Sequence, residues 1–262
     1  MVHIMKKIFS DFAEMAIHPR RFAEQSVRNR NISILSADFC AAFTVFILYS
    51  ILSSVVMYLT PSGSVSALAG VPVNMEFPLW KIITVSFCGA LFTMAGSASL
   101  LCVIIPFISK GRLSLRLPTL LILVPAVYFV FFLIPGVPAP VRNILAVSAA
   151  AAVFVPAFRK KDDFMRFIYC FFAVSAVFMI FQLLLLVPVC RFSTDIFTFL
   201  YILEGILSII YFVNFCMAFS GLSAAKAASA IITAVVIVYV IIWSVQFSGI
   251  ISPEVAQILM LS

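Results

Sequence analysis

Residues 200–240 read LYILEGILSIIYFVNFCMAFSGLSAAKAASAIITAVVIVYV. Two apolar runs, each long enough to cross a bilayer, are joined by the short turn Gly221-Leu222-Ser223 and a lone cation, Lys226. About 20 apolar residues at 1.5 Å rise match a hydrocarbon core of about 30 Å. Lipid offers the backbone no hydrogen-bond partners, so such runs are helices. The stretch therefore reads as a transmembrane helical hairpin. One acidic residue, Glu204, lies well inside a run.

The rest of the chain repeats this pattern. Of 262 residues, 64% are hydrophobic and 10% charged, with a mean hydropathy of +1.21. An ordinary soluble domain carries about 25% charged residues, so these values indicate an integral membrane protein. The alternating segments of a β-barrel are absent from the pattern. The expected spans are Ile34–Leu59, Leu79–Ile108, Leu117–Ile134, Asn143–Phe158, Phe164–Val189, Phe197–Ser220 and Ala224–Phe247. The fold expected is all-α, a polytopic bundle of about seven spans over residues 32–262, preceded by a basic amphipathic segment at 1–31.

The fourth span is the weak one. Sixteen residues reach roughly 24 Å, so a six-span form with a re-entrant fourth element is the alternative. Charge distribution separates the two. With seven spans, one side collects the six Lys and Arg before residue 31, three at 110–116, four at 159–166 and Lys226. Lys81, Arg142 and Arg191 fall on the other side. A fourth element that turns back splits the 17 cations nearly evenly, 10 to 7. The positive-inside rule favours seven spans, with a cytoplasmic N-terminus and the C-terminus outside. A bacterial cytoplasmic membrane is the expected location. The net charge of +7 follows from this rule and implies no nucleic-acid partner.

In the first 31 residues Met5, Ile8, Phe9, Phe12, Met15 and Ala16 recur at helical spacing. His18-Pro19 ends that helix, because the residue before proline avoids the helical region. Lys6, Lys7, Arg20 and Arg21 are candidate contacts to an anionic membrane surface. Packing against the ends of the bundle is the other reading of the segment, and the two are compatible. Pro125 is expected to kink the third span. Small residues on the second span, including Gly89 and Gly96, suit close helix packing within the chain or between copies.

Glu204 heads the candidate intramembrane site. At 100° per residue, Tyr201, Ser208, Tyr211 and Asn214 share its side of the sixth span. A carboxyl in lipid faces the bundle or water. It then serves either a transport path or a hydrogen bond between helices. Candidate partners are Gln182, Lys81, Arg142 and Arg191. No catalytic constellation, nucleotide loop or cofactor motif is found. Both histidines, His3 and His18, lie in the N-terminal segment, which leaves none for a metal cage inside the bundle. The six cysteines form no CxxC and read as small buried apolar groups. Asp162-Asp163 reads as part of a solvated turn beside Lys160 and Lys161.

Two stretches together resemble a known family. His18-Pro19-Arg20-Arg21-Phe22, shortly before the first span, and the hairpin from Phe212 to Ala228 are similar to bacterial members of the Yip (Ypt/Rab-interacting protein) family. Two spans joined by a short basic turn and followed by proline also fit. The family core has five spans against the seven counted here. The resemblance implies a polytopic helical membrane protein with no catalytic residues to transfer and no enzymatic reaction. Its expected role is membrane organisation or service as a subunit of a membrane complex, with the bilayer, other membrane proteins or a second copy as partners. The competing expectation is a small permease whose path runs along Glu204.

Overall fold

The computed structural model describes residues 14, 16–28, 36–59, 77–110, 112–113, 116–119, 121–122, 137–189 and 194–261. Nine helices of five or more residues lie among them: α1 Pro19–Arg28, α2 Ala37–Leu59, α3 Leu79–Ser109, α4 Ala139–Ala152, α5 Val155–Arg159, α6 Lys161–Val189, α7 Thr194–Ser220, α8 Ala224–Phe247 and α9 Pro253–Leu261. Six segments are long and apolar enough to cross a membrane, with α4 and α5 together forming one of them, Ala139–Arg159. The expected third span, Leu117–Ile134, lies largely outside the described residues. Residues 117–119 and 121–122 are helical, and Pro125 is among those not described.

The core is aromatic and sits between α2, α6 and α7. Phe172 meets Phe39, Phe43 and Phe46 at centroid distances of 5.9, 5.3 and 4.7 Å. Further along both helices Val56 packs with Leu185, so α2 and α6 run parallel, and among the described residues their interface is the most extensive. Phe167–Phe219 (5.0 Å), Phe171–Phe212 (4.5 Å) and Phe178–Tyr211 (6.0 Å) descend along α7, which makes α6 and α7 antiparallel. Phe46 also meets Phe87 of α3 at 5.6 Å. Such ring pairs supply dispersion and edge-to-face attraction where lipid removes any hydrophobic drive between helices.

The pairings place the C-terminus of α3, the N-terminus of α6 and the α7–α8 turn at one end. Lys110, Arg159, Lys160, Lys161, Arg166 and Lys226 lie there, so we refer to it as the basic end. Lys81 lies toward the opposite end, at the start of α3.

Local punctuation explains the boundaries. Pro78 and Pro138 sit in extended conformation just before α3 and α4. Gly221 ends α7 with φ +64°, its N–H donating to the Met217 carbonyl at 2.9 Å. That left-handed residue turns the chain into α8 within three residues. Gly249 ends α8 at φ +80°. Its N–H reaches Gln246 and that of Ile250 reaches Val245, the paired bonds of a Schellman cap. The chain then returns, and α9 buries Ala256 and Ile258 against the bundle. A hydrogen bond from the Ser252 hydroxyl, first among several influences, holds the Glu254 carboxyl below its ordinary range at the start of α9.

The fourth element is longer than the 16 residues expected. It begins at Ala139, because proline is tolerated in a first helical turn, where no N–H is needed. Its 21 residues reach about 31 Å. The Asn143 amide, with its nitrogen turned toward Ser248, donates to the Ser248 carbonyl at 2.9 Å, at the end opposite the basic one. Lys160, just past the other terminus, reaches the Cys102 carbonyl of α3 at 2.9 Å. The element thus runs from one end of the bundle to the other and does not turn back. Ser109 and Pro138 therefore lie at opposite ends.

Gly96 marks a close approach between α3, the fourth element and α8. A Cβ there would stand 3.2 Å from Val238 Cγ2 and 3.3 Å from Val153 Cγ1. Gly96→Val is expected to lower stability by about 1–3 kcal/mol through overpacking, read as a lower thermal unfolding midpoint in detergent. An unchanged midpoint would show that the seam opens freely.

The start of the chain packs on the bundle where it is described. The helical region ending at Ile17 breaks at His18, and α1 begins at Pro19. Phe22 and Ala23 are buried, Phe22 stacking on Tyr169 of α6 at 6.0 Å. The Tyr211 hydroxyl of α7 donates to the Ala16 carbonyl at 2.8 Å. Arg20 and Arg21 remain exposed, while Lys6 and Lys7 lie outside the described residues.

Candidate intramembrane polar site

Glu204 projects from α7 into the junction with α2 and α6, and is 6% exposed. Gln182 of α6 donates from Nε2 to both carboxyl oxygens, at 3.2 Å to Oε1 and 2.9 Å to Oε2. The Tyr49 hydroxyl of α2 donates to Oε1 at 3.0 Å. One side chain therefore ties three helices together. Of the expected partners, Gln182 is the one in contact. Among the described residues no ion pair reaches Glu204. Lys81 instead lies over the Phe77 ring at 3.7 Å. Arg142 is half-buried on α4 with its Nε lacking a partner among the described residues. Arg191 lies outside those residues.

Apolar layers close the site on both sides. One turn from Gln182 and Glu204, away from the basic end, Leu185 and Leu200 pack with Val56. One turn the other way are Phe46 of α2 and Phe178 of α6, both buried, with Leu207 of α7 against the core. The alternation follows from helical spacing. Residues three, four and seven apart share a face, so each polar level is followed by an apolar one.

The rest of the expected polar arc serves other contacts. Ser208 bonds back to the Gly205 carbonyl of its own helix at 2.7 Å. Asn214 donates to Ile210 at 2.8 Å. Tyr211 holds the N-terminal segment through Ala16. The Tyr201 side chain lies outside the described residues. Gln182 Oε1 is buried without a partner among the described residues. Those residues bring together no group of three or more His, Cys, Asp or Glu.

A second polar set was not anticipated from the residues. The Ser99 hydroxyl of α3 donates to the Val153 carbonyl at 2.6 Å and accepts from the Ala157 N–H at 3.0 Å. Val153 and Ala157 are an i, i+4 pair, so a hydroxyl from another helix is inserted into the ladder of the fourth element. Pro156, which has no N–H for the preceding turn, separates α4 from α5, and the inserted hydroxyl serves backbone groups at that break. Three residues along α3 lies Cys102, whose carbonyl receives no N–H from Pro106. Lys160 Nζ takes that acceptor instead. The signal in the sequence was a pair of prolines inside apolar runs, Pro106, four residues after Cys102, and Pro156.

Comparison with protein-family models, curated proteins and solved structures finds no match to this chain. The helices carry the classification alone. It is a polytopic, all-helical integral membrane protein. Within it Glu204 acts as a hydrogen-bond acceptor shared by α2, α6 and α7.

Proposed function

We propose that this protein catalyses no reaction and serves in membrane organisation or as a subunit of a membrane complex. The observation supporting this reading is that Glu204 is bonded to Gln182 and Tyr49 and closed off by Val56, Leu185 and Leu200 on one side and Phe46 and Phe178 on the other. A transport site needs an aqueous approach from at least one side, and these layers fill both. The resemblance of His18–Phe22 and of the Phe212–Ala228 hairpin to the Yip family supports the same role. The clustering of cations supports an N-terminus in the cytoplasm and a C-terminus outside, in a bacterial cytoplasmic membrane.

Cysteine labelling tests the role against the competing permease reading. The six native cysteines are first replaced, then Tyr201→Cys, Ser208→Cys and Tyr211→Cys are introduced one at a time. A membrane-impermeant maleimide is added from either side of sealed vesicles. Uniform protection is expected. Periodic labelling of these positions from one side would favour a small permease with its path along α7.

A further inference from the structure

Between α1 and the basic-end portion of α7 lies a groove of about 560 Å³, lined by Ile17, His18, Pro19, Arg20, Arg21, Glu24 and Asn214. Both arginines are mostly exposed. Each meets a carboxylate through Nε, Arg20 with Glu24 at 3.1 Å and Arg21 with Glu14 at 3.5 Å. Those pairs hold the side chains in place and leave the terminal nitrogens of both guanidinium groups available. Glu24, the acidic residue lining the groove, is taken up by Arg20. A guanidinium fork matches the oxygens of a phosphate.

The groove sits at the foot of an apolar stripe. Ile202, Ile206 and Ile210 follow one another at steps of four along α7, and each is about half exposed. The next step is Asn214, in the groove wall. From Asn214 to Ile202 is about 18 Å along the helix, against about 15 Å for half a hydrocarbon core. Ile17, 70% exposed, forms an apolar lip at the groove itself. A headgroup held in the groove would have an acyl chain laid along the stripe.

We propose that this groove binds the phosphate of a phospholipid headgroup, with the lipid's tail packed along Ile210, Ile206 and Ile202. The surrounding cations of the basic end favour an anionic lipid. The inference needs only that the chain is embedded in a bilayer and is independent of the role proposed above.

The test uses the full chain in nanodiscs of phosphatidylcholine doped with phosphatidylglycerol. The lipid that remains with the protein after gentle detergent extraction is measured by native mass spectrometry. Phosphatidylglycerol is expected to be retained, and Arg20→Gln/Arg21→Gln to lower its retention by roughly tenfold or more. The control Arg159→Gln/Lys161→Gln removes two cations of the same end outside the groove and is expected to leave retention within about twofold of the native value. Asn214→Phe fills the groove without removing a charge and is expected to reduce retention as the arginine variant does. Thermal unfolding checks that each variant is folded. Unchanged retention in the folded groove variants overturns the proposal, as does an equal loss in the control, which would indicate a diffuse surface charge. Glycerol phosphate and inorganic phosphate are expected to compete only at millimolar levels. If either binds as tightly as the lipid, the site is one for soluble phosphate and the lipid assignment fails.

Discussion

Replacing Glu204 with leucine is expected to destabilise the bundle by about 2–4 kcal/mol, whereas Glu204→Gln stays within about 1 kcal/mol of the native protein. Leucine restores apolar volume but strands the Gln182 amide behind the Val56–Leu185–Leu200 layer and removes the bond that the Tyr49 hydroxyl makes to Oε1. Each buried donor left without an acceptor costs about 1–3 kcal/mol. Bonds between membrane helices average less, near 0.6 kcal/mol in double-mutant cycles, because the separated helices also find partners. The seal around this site is what places Glu204→Leu above that average. Glutamine keeps an oxygen for both donors and adds an N–H that can face Gln182 Oε1, which lacks a partner among the described residues. Unfolding by denaturing detergent in mixed micelles provides the measurement. Removing both partners in Glu204→Leu/Gln182→Leu should recover much of the loss, since no amide is then stranded. A Glu204→Leu protein as stable as the native one would show that the three-helix tie contributes nothing.

Ser99→Ala is expected to cost about 1–3 kcal/mol and to loosen the chain around Arg159–Lys161. The serine hydroxyl serves the Val153 carbonyl and the Ala157 N–H together. Without it, those two groups could satisfy each other only by closing the helix over Pro156, whose ring clashes with the preceding turn. The break therefore persists with the Val153 carbonyl unserved, while the Ala157 N–H keeps its bond to the Phe154 carbonyl at 3.1 Å. Ser99→Thr keeps the hydroxyl and should retain most of the stability. The readouts are the thermal midpoint and the rate of tryptic cleavage at Arg159, Lys160 and Lys161, which are exposed. Faster cleavage in Ser99→Ala, restored in Ser99→Thr, is the expected pattern. Equal cleavage in all three would mean that the hydroxyl does not hold the fourth element.

Span positions were legible wherever local chemistry set them. The bounds Ala224–Phe247 follow from Gly221, Ser223 and Gly249, all within a few residues of the ends they define. The fourth element crosses as expected but starts four residues earlier, at Ala139, because a helix start accepts proline and Pro140 falls in its first turn. Glu204 stood out because an acid inside an apolar run is costly, and Gln182 was among its candidate partners. Choosing it over Lys81, Arg142 and Arg191 required knowing that α6 and α7 lie antiparallel, which periodicity does not report. Tyr49 is 155 residues from Glu204 in the chain. Its hydroxyl meets the carboxyl only because α2 and α6 run parallel. Ser99 was legible as a small packing residue. Its insertion into a neighbouring helix depends on how α3 packs against the fourth element, which periodicity does not report.

The parallel pairing of α2 with α6 also sets an order of events during synthesis. About 130 residues separate the end of α2 from the end of α6. At 5–20 residues per second, α2 waits roughly 6–26 s in the bilayer for its principal partner. Through that interval Phe39, Phe43 and Phe46 lack the Phe172 ring, although Phe87 of α3 is already made to meet Phe46, and the Tyr49 hydroxyl lacks the carboxyl it will serve. Gln182 emerges next and Glu204 after it, so the tie among the three helices is made late. A ribosome stalled before residue 204 would leave an inserted chain whose largest interface can form without its polar fastening, a form that membrane quality control could distinguish from the finished protein.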